Sequence, residues 1–358
     1  MSGFHRARVR RLLARLDALG LDALVTVNLK NVRWLTGYSG TAGACVISPK
    51  GNFFFTDFRY ASQAKEEVHS MALVIATKPL PEAAAEKLKA LRARKIGFEH
   101  GDVTVAVMGK MRKSVSGKWI PCDAVEKLRM IKDAAEIAVL EKNFGYLAAV
   151  FRDIGEVLRP GRREREAAAD LEYRLRLRGG EKAAFDFIIA SGPRAALPHG
   201  VASGKKMKKG EVFIVDWGWV LNGYHSDNTR TLFLGKPKPK VKEIFDIVLE
   251  ANERAIAKAA PGVPLKELDA AARDYIEAKG YGKYFGHGTG HGVGLDIHEA
   301  PGVSWRSTET AQEGMVFTIE PGIYLPGVGG VRIEDVVHIT KTGRRILTRN
   351  IPKAAHII

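Results

Sequence analysis

The pattern Gly210-x-Val212-Phe213-x-x-Asp216-x-Gly218 returns 104 residues later as Gly314-x-Val316-Phe317-x-x-Glu320-x-Gly322, with a carboxylate at the same place in each copy. Gly223-x-x-x-Asp227 then matches Gly330-x-x-x-Glu334, so each copy adds a second acid toward the end of a following strand. Val212 to Val220 and Tyr224 to Leu234 are apolar, β-branched and aromatic runs on either side of Asn222-Gly223, a strong short hairpin signal. A two-residue turn there pairs 221 with 224 and hence 216 with 229. Asp216 and Asp227 become diagonal neighbours on one face, their side chains starting about 7 Å apart or less. In the second copy a five-residue loop, 326–330, would pair 325 with 331 and 320 with 336, making Glu320 and Glu334 diagonal neighbours as well.

Four carboxylates on one dry face repel one another and call for a cation or for raised pKa values. Ordinary salt-bridged or solvated strand acids do not explain the repeated spacing, so a metal site is the better reading. A nitrogen ligand lies between the hairpins. Gly286-His287-Gly288-Thr289-Gly290-His291-Gly292-Val293-Gly294 places two histidines four apart among glycines that let the backbone approach a ligand; His298 follows, and His199 sits in Leu197-Pro198-His199-Gly200. Four carboxylates and one imidazole suit Mn²⁺, Co²⁺ or Fe²⁺ better than a structural thiolate zinc site, and suffice for two ions.

The order Asp216, Asp227, His291, Glu320, Glu334, set in GYHSDNTRT, GHGTGHGVGLDIHEAP, EPGIY and GVRIED, resembles the metallopeptidases of the pita-bread fold. Within them the chain resembles the Xaa-Pro aminopeptidase and prolidase family over nearly its whole length. Asn31 to Gly40 (NVRWLTGYSG) and Thr56 to Tyr60 (TDFRY) are similar to segments of that family's first domain. The resemblance implies two divalent ions, Mn²⁺ first, with Co²⁺, Fe²⁺ or Zn²⁺ as alternatives. They would be bridged by Asp227 and Glu334, with Asp216 on one ion and His291 and Glu320 on the other. It further implies catalytic roles for Glu320 as proton carrier and for His199 and His298 as histidines that hold the peptide and its tetrahedral intermediate. His287, Tyr324 and Arg332 match positions around the site, where they would bind substrate or, for Arg332, orient a carboxylate.

Composition fits a two-domain enzyme: 358 residues, 46% hydrophobic and 27% charged. Cys45 and Cys122 are its only cysteines, which excludes a disulfide framework and fits a reducing cytoplasm. No apolar run reaches the roughly eighteen residues a membrane span needs. The Arg-rich start carries Val9, Leu12, Leu13, Leu16 and Leu19 at helical spacing and reads as the first helix of a domain rather than a targeting peptide or a nucleic-acid arm. The net charge of +16 is spread over clusters such as Lys205 to Lys209 that flank turns, as on a solvated edge that discourages strand pairing.

Residues 1–122 alternate strand and helix, with strands at 24–27, 44–48, 53–56, 73–76 and 96–98 and helices at 59–68 and 81–94, a small α/β domain. Residues 123–358 form the second domain, opening on a long helix over 133–158. Pro160-Gly161 with its helical run to Gly179-Gly180 parallels Pro261-Gly262 with its run to Gly280, an offset of 101. The fold class is therefore α+β: a duplicated helix-plus-hairpin unit with a curved antiparallel sheet, preceded by a smaller α/β domain of the creatinase/prolidase type. The function read from this is hydrolysis of the bond between an amino-terminal residue and proline, as an Xaa-Pro aminopeptidase. The alternative is an Xaa-Pro dipeptidase, with a peptide or dipeptide carrying proline second as partner, acting as a cytoplasmic homodimer. A non-catalytic binding module of the same fold would not need all five ligands.

Overall fold

The computed structural model describes residues 2–357. The chain divides into two compact units, Met1–Arg129 and Met130–Ile358.

In the first unit six strands form one mixed sheet, ordered Ala72–Ile75, Gly51–Thr56, Ala44–Ser48, Ala23–Thr26, Lys95–Phe98 and Lys118–Pro121. The antiparallel neighbours Ala44–Ser48 and Gly51–Thr56 are joined at Pro49-Lys50, with Ser48 opposite Gly51. Ala23–Thr26 is parallel to Lys95–Phe98, which is parallel to Lys118–Pro121. The helix Leu80–Ala90 buries Ala84, Ala85 and Leu88 against Val25, Val46, Phe55 and Ile96. The sixth strand was not expected. Lys118-Trp119-Ile120-Pro121 is a short edge strand with lysine at one end and proline at the other, a composition that reads as a linker. The helix Ala124–Arg129 packs on the helices Ser2–Ala18 and Leu29–Thr36, so the first unit extends past the boundary expected at residue 122.

The second unit repeats itself. The helices Glu164–Leu177 and Leu265–Ala278 are both 14 residues long and share the offset of 101 found in the sequence. Before each comes a longer helix, Ala134–Phe151 and Pro239–Lys258; after each come the strands of one acid-bearing hairpin. The first long helix starts at Asp133, which forms a capping box with Glu136. It stops at Phe151 rather than running to 158, and a separate short helix, Ile154–Val157, follows: Asp153 turns back onto the Val150 carbonyl, and Arg174 of the helix Glu164–Leu177 holds its carboxylate at 3.2 Å. Each long helix also sends one fully buried asparagine into its hairpin. Asn143 donates to the carbonyls of Trp219 and Tyr224 at 2.8 and 3.0 Å, and Asn252 to those of Ile319 and Ile333 at 2.9 and 3.3 Å. Each asparagine thereby ties its helix to backbone carbonyls of the hairpin, at the cost of burying a polar side chain.

In the first hairpin Leu221 pairs with Tyr224 across Asn222-Gly223, whose φ values of +48° and +75° are those of a type I′ turn, and Asp216 pairs with Thr229. That is the expected register. The second hairpin corrects the expectation. Leu325 pairs with Gly329, Gly322 with Arg332 and Ile319 with Asp335, so the loop is three residues long and Glu320 stands directly opposite Glu334, not diagonal to it. Pro326-Gly327 closes a type II turn, with Gly327 at φ +77° and the Val328 amide on the Leu325 carbonyl at 3.0 Å. Gly329 follows at φ +143°, a value open to glycine. The slip is of two residues, so the facing of both acids survives it.

Candidate metal centre

The two hairpins meet because their outgoing strands hold each other. The Glu334 amide donates to the Thr229 carbonyl at 3.2 Å, Asn228 Nδ2 to the Glu334 carbonyl at 2.9 Å, and Thr231 Oγ1 to the Arg332 carbonyl at 2.8 Å. This brings carboxylate oxygens of Asp216, Asp227 and Glu334 within 4.8 Å of one another. His291 joins them, its Nε2 3.5 Å from Asp227 Oδ2 and 3.2 Å from Glu320 Oε1. All five residues expected as ligands converge. The other ring nitrogen of His291 lies 3.1 Å from the Gly292 carbonyl, which fixes a proton on Nδ1 and turns Nε2 to the acids.

Asp216 Oδ1 and Glu334 Oε1 are buried and have no hydrogen-bond partner among the described residues. Burial, then the nearby charges of Glu334, Asp216 and Glu320, pushes Asp227 well above the ordinary carboxylate range. Glu334 is raised in the same way by burial and by the charges of Glu320 and Asp216. Asp216 is raised by burial despite Arg332. Orphaned oxygens within mutually repelling acids are what a cation would satisfy, and an oxygen-rich set with one imidazole suits a hard or borderline divalent ion. The residues fit a metal centre. Glu320 differs from the other three: burial works to raise it, but the hydrogen bond and charge of His291, with His287 and Arg332, bring it down to about 2. The same contact holds His291 above its ordinary value against the pull of burial.

His287, Tyr324 and Arg332 form one chain. Arg332 Nη1 donates to Tyr324 Oη at 3.0 Å, and Tyr324 Oη lies 2.9 Å from His287 Nε2. His287 Nδ1 lies 2.8 Å from the Gly288 carbonyl, so that nitrogen carries the proton and Nε2 accepts from the tyrosine. Burial lowers His287 in keeping with a neutral ring. Arg332 spends three more donors inward too: on Asp216 Oδ2 at 2.6 Å, Thr229 Oγ1 at 3.0 Å and the Pro198 carbonyl at 2.9 Å. By contrast His199 and His298 are exposed. His298 packs edge-on to His291 with centroids 4.3 Å apart, and the partial desolvation of its ring, then the neighbouring His291 and His199, keeps it below its ordinary value.

Four contributors lie outside the sequence reading. Thr229 stands opposite Asp216 and Thr318 two residues before Glu320, both buried and both hydrogen-bonded into the site. Same-face spacing in a strand is the signal that points to them. Asp269, on the helix Leu265–Ala278, accepts from the Thr289 amide at 3.2 Å and hydroxyl at 2.7 Å, while Arg273 beside it donates to the His287 carbonyl at 2.7 Å. This pair ties the glycine-rich loop to the helix; nothing in its spacing marks it out.

Residues 141–341 match metallopeptidase family M24, and residues 8–131 match the creatinase/prolidase N-terminal domain. The chain belongs to metallopeptidase family M24. Among M24 proteins it is 40% identical over 348 residues to the Xaa-Pro dipeptidase of Pyrococcus horikoshii, covering 96% of this chain and 97% of that one. The structure of an Xaa-Pro dipeptidase from Bacillus anthracis superposes with a TM-score of 0.96 at 41% identity, covering 99% of this chain and 100% of that one. An X-Pro aminopeptidase from Thermotoga maritima superposes with a TM-score of 0.90 at 36% identity, covering 98% of this chain and 100% of that one. As an M24 member the chain is a metallopeptidase with a creatinase-type first domain and a pita-bread second domain, and the family's chemistry uses divalent metal ions.

Proposed function

We propose that this M24 enzyme is an Xaa-Pro dipeptidase that splits a dipeptide ahead of proline. Sequence alone favoured the aminopeptidase; the full-length likeness to Xaa-Pro dipeptidases from two organisms moves the weight to the shorter substrate. The observation that carries the chemistry is the set of three buried acids, the half-buried Glu320 and one imidazole, with two orphaned oxygens. Asp216, Asp227, His291, Glu320 and Glu334 would hold two divalent ions, with Mn²⁺ favoured by the oxygen-rich set. Such ions supply polarisation of the scissile carbonyl and activation of the attacking water.

The chain's own groups do the rest. Glu320, ionised at neutral pH, takes the proton of the attacking water and returns it to the proline nitrogen as that bond breaks. His298, held below its ordinary value, and the exposed His199 donate to the carbonyl oxygen as it gains charge. Arg332 orients Asp216 rather than reaching substrate, since four of its five N–H donors are already engaged, and His287 and Tyr324 form a wall of fixed protonation beside it. A proline nitrogen carries no N–H, so a site that held substrate through that donor would fail; an anchored amino terminus and a slot for the ring avoid the problem. Free Cys45 and Cys122 favour a cytoplasmic setting. A homodimer is the assembly we expect, to be checked by light scattering.

The test is hydrolysis of Gly-Pro against Gly-Pro-Gly-Gly with added Mn²⁺. A dipeptidase cleaves the first with kcat/KM at least about tenfold higher. The reverse order reinstates the aminopeptidase, and cleavage of neither removes the Xaa-Pro assignment.

A further inference from the structure

Thr318 is fully buried and lies two residues before Glu320, on the same face of the strand. Its Oγ1 accepts the backbone N–H of His291 at 3.0 Å and donates to Glu320 Oε1 at 3.0 Å. A hydroxyl has a single proton to give. With an amide N–H already aimed at its oxygen, that proton is turned to the carboxylate, so the direction of the bond is set by the backbone. Gly290 makes the approach possible: a Cβ there would lie 1.9 Å from the Thr318 carbonyl oxygen.

Glu320 Oε1 is thereby held from two sides, by the Thr318 hydroxyl and by His291 Nε2 at 3.2 Å. Oε2 is left 3.9 Å from Arg332 Nε. The two oxygens of one carboxylate are therefore unequal. At the matching position of the first hairpin the chain has Ile214, a member of the hydrophobic core, and Asp216 takes its orientation from Arg332 instead. The hydroxyl on the incoming strand belongs only to the copy whose acid moves a proton.

We propose that Thr318 is a positioning residue for proton transfer, fixing the Glu320 carboxylate so that Oε2 is the oxygen that receives and returns the proton. The proposal rests on the assignment of Glu320 as proton carrier. Removing the hydroxyl frees the carboxylate to rotate and spreads its productive orientation over others, which lowers turnover more than binding.

Thr318→Val keeps the shape and loses the hydroxyl; Thr318→Ser keeps the hydroxyl. The valine variant is expected to lose about tenfold to a hundredfold in kcat with KM changed less than about twofold, and the serine variant to stay within about threefold of the parent. Calorimetric titration of the metal-free proteins with Mn²⁺ should give one stoichiometry for all three. Glu320→Gln, assayed alongside, tests the underlying assignment: parental turnover in it removes Glu320 from the proton path whatever Thr318 does. With Glu320→Gln inactive, an unchanged kcat in Thr318→Val overturns the proposal, as does a serine variant that falls as far as the valine one. Loss of Mn²⁺ stoichiometry in step with kcat also overturns it, making Thr318 a prop for His291. If Thr318→Val melts before assay, Thr318→Ala against Thr318→Ser carries the same comparison.

Discussion

In the first hairpin Asp216 and Asp227 are staggered by two positions across their strands, and Arg332 is clamped on the first of them; in the second, Glu320 faces Glu334 directly, with Thr318 and His291 around it. The starting pattern is one. The difference in register makes one copy a rigid pair of acids beside a guanidinium and the other a pair in which one acid sits low in pKa, with its second oxygen 3.9 Å from Arg332 Nε. Duplication supplied the centre, and the unequal turns, Asn222-Gly223 against Pro326 to Val328, let its halves diverge in task.

The sharpest way to break this comparison is to truncate the leading acid of each copy. Glu320→Ala should lower turnover by about a thousandfold or more while the protein stays folded, whereas Asp216→Ala should lose Mn²⁺ affinity first and regain part of its activity at high Mn²⁺. Activity and bound metal counted on the same samples decide it; equal recovery of both variants by excess Mn²⁺ would make the two acids equivalent. His298→Ala comes next, with a fall of about a hundredfold in kcat and no change in bound metal, and a parallel loss of metal would make His298 a ligand.

A smaller effect follows from protonation. Asp216, Asp227 and Glu334 are raised in the metal-free protein, so they retain protons at a pH where ordinary carboxylates have lost theirs. Metal must displace those protons, so apparent Mn²⁺ affinity should fall as pH drops, by about tenfold per unit for each proton released. The sign for the metal-free fold is the opposite. Raised acids stabilise it at low pH, and that contribution fades as pH climbs from the ordinary values of 3.8 and 4.5 through the raised ones. Calorimetry of Mn²⁺ binding in buffers of different ionisation enthalpy counts the protons; a count of zero would contradict the raised values.

The smallest effect separates the clamps. Asn252 donates to two carbonyls of the second hairpin and receives Lys353 Nζ on its own oxygen at 2.9 Å, while Asn143 Oδ1 is buried without a partner among the described residues. Asn252→Leu should therefore destabilise by about 2 kcal/mol and Asn143→Leu by less, read as melting temperatures. The reverse order would mean that the first hairpin depends more on its clamp.

The chain announced a good part of this. Both repeats, the five converging residues and the register of the first hairpin were legible, because Asn222-Gly223 admits few turn types and acids at fixed spacing declare a face. The second register was not: Pro326-Gly327-Val328-Gly329-Gly330 contains three glycines and can close in several ways, and the one adopted is chosen by packing on the segment Gly192–Ala195, distant in sequence. Thr229 and Thr318 were visible as same-face neighbours but indistinguishable from ordinary strand threonines. Asn143 and Asn252 depend on how a helix lies across a hairpin, which no local pattern encodes.

The turn after Leu325 also sets a rule of parity for this part of the chain. One residue added to or removed from Pro326 to Val328 would rotate Glu334 to the far surface of its ribbon and empty half the centre, whereas two would return it to the same side. Length changes that keep the enzyme alive here would come in pairs, or would arrive together with a bulge that cancels the odd step.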